Sequence, residues 1–564
     1  MTGRRTYTGQ SASAGIALGL AHRVDLPPPA DLQTATLASG DSVQQVLAAF
    51  EAVATQLFEL AETLRASGQA DLADIVEANG YIAQDHDLRE GAVRRIREEE
   101  SHAAHAVAQS VYEYADALAA LDDPTLAERA TDVRQVGRRV LAQLSGSFAA
   151  TPDGPLVLCA HEVGAADLLE RGDMVVAAVS VIGGPNGHAS IIARSLGIPL
   201  LLGVDTALLL EPDGTEILVD TGRSTATVNP AQRERTEAIA TMNAARRRRE
   251  ALAAERDLPC RTLDGHPISL RANVATVVEA KTAVAHNAAG VGLLRTELPF
   301  LDAHTWPTES QHTAVLTPIF RKLAGHPVTV RTLDFADDKL PPFLKAGREG
   351  EKLGRGLPLM LAEPAAFAEQ FRAILTAGLG TDLRVMIPMV ASVAELRACK
   401  DILEKCAAQL GIQAPPIGTM IELREAVAAA DALARESAFF SIGSNDLTSQ
   451  ILGLDRRDPA LTPELAAHPD VLRAIAATVE AAHRYGRQVS VCGDAAAHPL
   501  VIPLLIGLGC DVLSVAPAAT DEVRALVRRL DVQLCAEAAS RALHSHVFDE
   551  VARIVQERCA PAVP

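Results

Sequence analysis

The stretch Phe439-Phe440-Ser441-Ile442-Gly443-Ser444-Asn445-Asp446 decides the fold of the second half of the chain. It joins a short apolar run to a polar end, which is typical of a buried strand that delivers functional side chains. Eight β-type runs alternate with helical segments after Pro267: Ile268–Asn273, Val291–Arg295, Val328–Leu333, Leu383–Met389, Ile417–Ile421, Phe439–Gly443, Val489–Cys492 and Val512–Val515. Eight parallel strands separated by helices over about 270 residues predict a (β/α)8 barrel.

Polar side chains lie at the carboxyl ends of these runs, where such barrels carry their active sites. Arg295 and Arg331 end or nearly end the second and third runs, and guanidinium groups can grip phosphate oxygens. Glu422 follows the fifth run and Asp446 the sixth, and their carboxylates suit Mg²⁺ beside a substrate phosphate. Cys492 ends the seventh run, and its thiol can donate a proton. Together these residues predict a phosphate–Mg²⁺ site.

Each of these residues also has a structural interpretation. The two arginines could form strand-end ion pairs with Glu297 and Asp334. Glu422 could cap a helix, and Cys492 could be a small buried apolar side chain. Their collection on one rim of a barrel favours the functional interpretation.

A second motif lies in the first half of the chain: Gly183-Gly184-Pro185-Asn186-Gly187-His188-Ala189-Ser190-Ile191-Ile192-Ala193-Arg194. Glycines let a charged group approach the backbone closely. The helix that begins behind them offers free N–H groups and the positive end of a dipole, which suit a phosphate. Neutral imidazole is a good nucleophile, so the motif predicts a histidine that carries a phosphoryl group. The alternative is an ordinary strand-to-helix turn with a bystander histidine.

Composition bounds the class of protein. The 564 residues are too many for one core, and the net charge of −19 argues against nucleic acid and anionic membrane surfaces. The eight cysteines are scattered without ligand-like spacing, which favours reduced thiols in a cytoplasm. No apolar run approaches membrane-spanning length. We therefore expect a soluble, cytoplasmic protein.

Four regions differ in composition. A short apolar segment near Ile16 and the β-type runs of residues 155–228 predict one α/β domain. Between them, helical periodicity runs from Asp41 to about Gln143, with stretches over Leu72–Ile82, Leu88–Leu118 and Thr125–Leu144. The Arg- and Glu-rich segment from Pro230 to Asp257 predicts a solvated linker helix rather than a nucleic-acid-binding arm.

With these residues in view, the chain resembles the Enzyme I family of the bacterial sugar phosphotransferase system, the phosphoenolpyruvate–protein phosphotransferases. That family belongs to a wider group with pyruvate phosphate dikinase and phosphoenolpyruvate synthase. The resemblance covers essentially the whole chain, and its most specific segments are Gly183–His188 with Ala193–Pro199, Gly290–Glu297, Pro307–Glu309 and Phe440–Thr448. It implies an α/β phosphohistidine domain with an inserted helical bundle, followed by a TIM-type barrel.

The resemblance implies chemistry for individual residues. His188 would attack the phosphorus of phosphoenolpyruvate (PEP) and become phosphohistidine, and Cys492 would protonate the enolate to release pyruvate. Glu422 and Asp446 would hold Mg²⁺. Five further residues would hold the substrate. The phosphoryl group would be bound by Arg295, Arg331 and Lys339, and the carboxylate by Arg456 and Asn445.

The resemblance also implies domains and partners. Residues 1–29 and 146–228 would form the phosphohistidine domain, and the helical subdomain 30–145 would dock the phosphocarrier HPr, whose histidine takes the phosphoryl group. Residues 229–260 would be a helical linker. Residues 261–564 would form the barrel, which would bind PEP and pair into a homodimer.

Several positions depart from the family pattern. Asn186-Gly187 stand where Thr-Ser is usual, Asp337-Asp338 precede Lys339, and Leu423-Arg424 follow Glu422 where a small residue and proline are usual. The Asn-Pro-x-Leu-Gly-x-Arg segment of the family survives only as Lys352–Gly356, with Arg355 aligned across a gap. We expect an active enzyme, with a catalytically weak, PEP-sensing regulatory paralogue as the alternative. A dikinase or synthase is disfavoured because no Gly-rich ATP-binding segment is present.

Overall fold

The computed structural model describes residues 3–24, 42–66, 70–120, 124–145, 153–170, 172–184, 188–301, 303–335, 340–345, 356–455, 458 and 460–559. The chain divides into two compact units, Met1–Arg248 and Arg249–Pro564. Among the described residues, no helix is both long and apolar enough to cross a membrane.

An eight-stranded sheet forms the framework of the first unit. Its strands are β1 (Arg5–Thr8), β2 (Gln10–Ser13), β3 (Ile16–Arg23), β4 (Leu156–Ala160), β5 (Val175–Ser180), β6 (Leu200–Leu202), β7 (Glu216–Asp220) and β8 (Thr225–Val228). They lie in the order β1-β8-β7-β3-β4-β5-β6-β2, parallel from β3 to β6 and antiparallel elsewhere. Alternate residues of β4 enter two apolar clusters, one on each face of the sheet. The segment near Ile16 is thus a central strand of the predicted α/β domain.

Five helices of the described chain lie between β3 and β4. They are α1 (Ser42–Ala66), α2 (Ala70–Gln84), α3 (His86–Glu98), α4 (Ala103–Ala119) and α5 (Pro124–Ser145). They share a separate apolar core, to which α1 contributes Phe50 and Leu57. The predicted helical stretch Leu88–Leu118 is wrong at one point, because the helix is interrupted between α3 and α4. Glu100 there has φ of 50°, which a right-handed helix does not tolerate.

Three more helices follow in chain order: α6 (Ala165–Glu170), α7 (His188–Leu196) and α8 (Gln232–Ala254). In the long helix α8 only Ala238 is buried, and the other side chains, most of them charged or small, are partly or fully exposed. Its role as a linker stays a prediction, as do the proposed domain boundaries.

The second unit contains a closed barrel of eight parallel strands, which confirms the predicted fold class. The strands are β9 (Ser269–Val274), β10 (Val291–Leu294), β11 (Pro327–Arg331), β12 (Asp382–Ile387), β13 (Ile417–Ile421), β14 (Phe439–Gly443), β15 (Gln488–Cys492) and β16 (Val512–Val515). Each pairs with the next, and β16 pairs with β9 to close the ring.

Helices alternate with these strands and follow them to the end of the described chain. They are α9 (Val277–Ala285), α10 (Glu309–Lys322), α11 (Pro342–Lys345), α12 (Leu357–Ala362), α13 (Pro364–Ala377), α14 (Val393–Leu410), α15 (Arg424–Ala428), α16 (Ala430–Glu436), α17 (Ser444–Leu452), α18 (Pro469–Arg484), α19 (Ile502–Gly507), α20 (Thr520–Val527), α21 (Val532–Leu543) and α22 (Phe548–Cys559). Capping boxes at Thr276, Thr308 and Ser392 begin α9, α10 and α14.

The interior of the barrel is packed. Five buried side chains form an apolar cluster there: Leu293, Met386, Met420, Phe439 and Cys492. This cluster fills the barrel interior, so the barrel is not an open channel. Polar chemistry is therefore expected at the carboxyl ends of the strands.

Candidate functional site

Glu422 is the buried carboxylate at the centre of the site. It directly follows β13 and is fully buried, and its Oε1 accepts a hydrogen bond from the Met389 backbone N–H at 2.7 Å. Met389 follows β12 with φ of 55°, a backbone conformation rare outside glycine. Glu422 therefore does not cap a helix. The orientation of the Glu422 carboxyl group is fixed by the N–H of a residue in a strained backbone conformation, not by a side chain.

The second oxygen of Glu422, Oε2, has no hydrogen-bond partner among the described residues. Burial, together with the charges of Asp334 and Asp446, raises the pKa of Glu422 to about 8. Gly443 lies beside it, and a Cβ at that position would sit 2.8 Å from Oε2. The absence of a side chain at Gly443 thus makes room for the carboxyl group of Glu422.

Arg331 ends β11 between two acidic side chains. Its Nη2 lies 2.7 Å from Oε1 of Glu297, and its Nη1 lies 2.8 Å from Oδ2 of Asp334. Burial works to lower the pKa of Arg331, but the two carboxylates outweigh it and hold the pKa well above its ordinary value. The predicted strand-end pair with Asp334 is present, whereas Glu297 pairs with Arg331 and not with Arg295.

Arg295 follows β10 and is only half-buried. Its backbone N–H donates to the carbonyl of Val274 at 2.8 Å, which fixes the start of the loop. Within the described residues, its guanidinium forms no ion pair and no side-chain hydrogen bond. Arg295 is therefore a cation at the strand ends that is not already neutralised.

A buried amide network joins the ends of β10 and β11. Gln370, from α13, donates through Nε2 to Oγ1 of Thr296 at 3.0 Å and accepts from the Leu333 backbone N–H at 3.0 Å. The Thr296 hydroxyl in turn donates to the Arg331 carbonyl at 2.9 Å. Gln370 is fully buried and so holds the backbone that carries both arginines.

Cys492 lies in the barrel interior beneath these charged groups. Its Sγ donates to the carbonyl of Ile442 at 3.5 Å and accepts from the Ser441 hydroxyl at 3.6 Å. Burial raises the pKa of the thiol, and the field of Arg331 opposes this only in part. Cys492 is thus both a buried member of the core and a protonated thiol close to Arg331 and Glu422.

The first turn of α17, directly after β14, contributes two more polar residues. Asn445 and Asp446 lie in the first turn of α17, Asn445 exposed and Asp446 half-buried. Asn445 donates through Nδ2 to Asp494 at 3.1 Å and accepts from the Asp494 backbone N–H at 3.1 Å. Beside them opens a cavity of about 200 Å³, lined in part by Ser444, Thr448 and Asp494.

His188 is the first residue of α7 in the first unit. The preceding turn includes Gly183, whose φ of 135° requires glycine, and the Ser190 hydroxyl donates to the Gly184 carbonyl at 2.8 Å. The side chain of His188 lies outside the described part of the structure, as do Lys339 and Arg456 and the departures at residues 186–187, 337–338 and 352–355.

The residues of the barrel rim fit a magnesium ion on chemical grounds. Glu422 has an unpartnered buried oxygen, and the negative charge of Asp446 is close enough to raise its pKa. A cation between them would relieve both conditions. No group of three or more histidine, cysteine or acidic side chains suited to a metal occurs in the described ranges. Two carboxylates completed by substrate oxygens and water are the usual arrangement for Mg²⁺.

Comparison with known families assigns a class to each part of the chain. Residues 249–532 match the model described as "PEP-utilising enzyme, PEP-binding domain". Residues 8–129 match "PEP-utilising enzyme, N-terminal", and residues 152–224 match "PEP-utilising enzyme, mobile domain". The class that fold, site and comparison define is that of the PEP-utilising enzymes.

Individual relatives narrow this class. A phosphoenolpyruvate-protein phosphotransferase of Bacillus sp. (strain S) is 31% identical over 576 residues, 98% of each chain. Multiphosphoryl transfer proteins of Xanthomonas campestris pv. campestris and Rhodobacter capsulatus are 35% and 37% identical over 98% and 78% of this chain. The matches span 67% and 54% of those two longer relatives. The chain therefore belongs to the phosphoenolpyruvate–protein phosphotransferase family of PEP-utilising enzymes, as its sequence motifs predict.

Proposed function

We propose that this enzyme transfers the phosphoryl group of PEP to its own His188, releases pyruvate, and then passes the phosphoryl group to a histidine of the phosphocarrier HPr. The observation that carries the proposal is the unpartnered, buried Oε2 of Glu422 at the barrel rim, beside Asp446 and Arg331. Burial makes ionisation of this carboxyl group costly, and a bound cation would offset that cost.

The arginines would divide the work of holding the phosphoryl group. Arg295 is free of ion pairs among the described residues and supplies a whole guanidinium. Arg331 uses two of its five N–H donors on Glu297 and Asp334, so three remain. Its two carboxylates also fix the orientation of the guanidinium before substrate arrives. We expect Lys339 to join them, and Arg456 and Asn445 to hold the carboxylate of PEP.

Mg²⁺ held by Glu422 and Asp446 would neutralise charge on the phosphoryl oxygens. A ring nitrogen of His188 forms the new bond to phosphorus while the bond from phosphorus to the enol oxygen breaks. The electron pair released makes the enolate of pyruvate. The thiol of Cys492 then donates its proton to the terminal carbon of the enolate. Its raised pKa keeps this thiol protonated at neutral pH.

Partners and setting belong to the same proposal. The helices α1–α5 have their own core and would dock HPr. The chain would act as a homodimer in the cytoplasm. A PEP-sensing paralogue with little turnover is the second candidate, favoured by Asn186-Gly187 in place of the usual hydroxyl residues before His188.

Transfer to a carrier separates these two functions. The purified chain is mixed in catalytic amount with Mg²⁺, PEP labelled with ³²P, and a purified HPr protein. We expect many equivalents of label on HPr with equal pyruvate formation and no requirement for nucleotide. Binding of PEP without labelled HPr or pyruvate would support the sensor instead.

A further inference from the structure

The opposite end of the barrel interior carries a second pair of arginines. Residues 270, 272 and 274 of β9 pack outward against the helices, so the side chain of Arg271 points into the barrel. Gly292 on the neighbouring strand packs closely against this region, since a Cβ at that position would lie 2.3 Å from Oγ of Ser514 and 3.2 Å from the Cβ of Arg271. Arg384 lies near the amino end of β12, two residues before the interior side chain of Met386.

Arg271 is a buried cation without an acceptor. Its exposed fraction is 8%, and its Nε is enclosed with no hydrogen-bond partner. Within the described residues, its guanidinium forms neither a hydrogen bond nor an ion pair. Arg331, at the other end of the barrel and equally buried, has two carboxylates instead. A mostly buried guanidinium with an enclosed, unpartnered Nε is costly, so some acceptor is expected at Arg271.

The nearest charged neighbours increase this cost. Burial and then the positive charge of Arg384 lower the pKa of Arg271 to about 10, while Asp382 offsets them only in part. Arg384 itself lies over the ring of Phe439 at 5.9 Å and donates to the side-chain oxygen of Gln488 at 3.3 Å. Asp382 is 3.8 Å from Arg384 and largely exposed. Arg271 and Arg384 are therefore close enough to repel each other, and the one carboxylate near them, Asp382, is largely exposed and pairs with Arg384.

We propose that Arg271 and Arg384 bind a small oxyanion, a phosphate or a carboxylate, at the amino ends of the barrel strands. Guanidinium groups present paired N–H donors that match the oxygens of either anion. Gln488 and Phe439 hold Arg384 in place. The anion would therefore be bound by one oriented guanidinium, that of Arg384, and by the mostly buried guanidinium of Arg271. Met386 and Met420 lie between this pair and the carboxyl-end site, which makes it a separate site.

Calorimetric titration with inorganic phosphate and, separately, acetate tests the proposal. Both titrations use the full chain carrying Arg295→Met, which removes the free guanidinium at the carboxyl ends. Adding Arg271→Met should weaken binding of the preferred anion at least about tenfold, the loss expected for charge-assisted hydrogen bonds. The matched control is Arg435→Met, which removes an exposed arginine stacked on Tyr485 at 5.4 Å and should change nothing. Preference for one anion identifies the ligand class.

Thermal unfolding and crystallography test the same proposal in case Arg271→Met alters the fold. Arg271→Met should lose the phosphate-induced rise in Tm and keep PEP turnover. Crystals of the unmodified chain soaked in selenate should show an anomalous peak between Arg271 and Arg384. Equal anion binding with and without Arg271, or ordered water alone at this place in soaked crystals, would overturn the proposal.

Discussion

Arg331 donates to Glu297 across 2.7 Å, and this buried ion pair joins the carboxyl ends of two neighbouring barrel strands. The two residues are 34 positions apart, so the pair exists only because the strands lie side by side. It leaves Arg295, two residues before Glu297, without an ion pair among the described residues. The strand ends thus hold one fixed guanidinium and one available guanidinium.

The amide of Gln370 should act as a positioning residue for both arginines. Gln370→Leu removes its bonds to Thr296 and Leu333, and Thr296→Val removes the hydroxyl that Gln370 contacts. Each change should lower kcat/KM for PEP by roughly ten- to a hundredfold, because misplaced substrate contacts cost rate steeply. The double variant should lose less than the sum of the two effects in free energy, since both break one network.

Thr478→Val is the control for simple loss of stability. Thr478 is buried and donates to the Ala474 carbonyl within α18, away from the strand ends. It should cost about 1 kcal/mol in the free energy of unfolding with little change in KM or kcat. Equal kinetic losses in the control and in Gln370→Leu would contradict the positioning role.

Removing the charge of Glu422 should raise the Mg²⁺ requirement of the reaction. Glu422→Gln keeps an oxygen for the Met389 N–H but no longer supplies a carboxylate. The Mg²⁺ concentration for half-maximal pyruvate release should increase at least about tenfold, because hard cations favour charged oxygen ligands. Glu425→Gln, an exposed change three residues later, should leave the requirement unaltered. An unchanged Mg²⁺ dependence in Glu422→Gln would argue against this site.

The thiol of Cys492 should limit the formation of pyruvate. Cys492→Ala removes the proposed proton donor and should slow pyruvate release by about 10²- to 10⁴-fold, the usual contribution of general acid catalysis. Cys510→Ala truncates another buried cysteine of the barrel unit and should leave the rate near that of the unmodified chain. Similar rates in both variants would show that the proton comes from elsewhere.

His312 should make the barrel unit less stable in mild acid. Burial against Phe300 lowers its pKa from 6.5 to about 4, and neither ring nitrogen has a hydrogen-bond partner. Between pH 6.5 and pH 4 the unfolded chain binds a proton on His312 but the folded chain does not. The free energy of unfolding is therefore highest above pH 6.5 and falls as the pH decreases towards 4. The change amounts to at most about 3 kcal/mol at a shift of this size.

The fluorescence of Trp306, the one tryptophan in the sequence, reports unfolding of this unit. Denaturant unfolding of the parent chain and of His312→Leu at pH 7.5 and pH 5.0 measures the difference. The parent should lose more stability than the variant on acidification. Parallel losses would mean that His312 does not contribute.

The sequence predicts the barrel well because buried parallel strands are short apolar runs between turn residues. Ile417–Ile421 and Phe439–Gly443 match the observed strands at both ends. The break near Glu100 was not predictable, since no glycine or proline marks the positive φ. Local residue types reveal apolar periodicity more readily than such backbone conformations.

The site could be predicted only in part. Parallel strands bring their carboxyl ends together, so Arg331, Glu422 and Cys492 were expected on one rim, although their roles stay predictions. The partner of Glu297 was not foreseen, because pairing across strands depends on register and on which way each side chain points. Met389 contributes a backbone N–H, and Gln370 reaches in from a helix. Neither has a local sequence signal.

The central claim is that His188 receives the phosphoryl group of PEP, and a single-turnover experiment tests it most directly. The chain is mixed at high concentration with Mg²⁺ and a limiting amount of ³²P-labelled PEP, and peptides are mapped under alkaline conditions that preserve phosphohistidine. We expect one acid-labile label on His188 for each pyruvate formed, and none in a folded His188→Ala variant. Pyruvate without label on His188, or label retained in His188→Ala, would contradict the account.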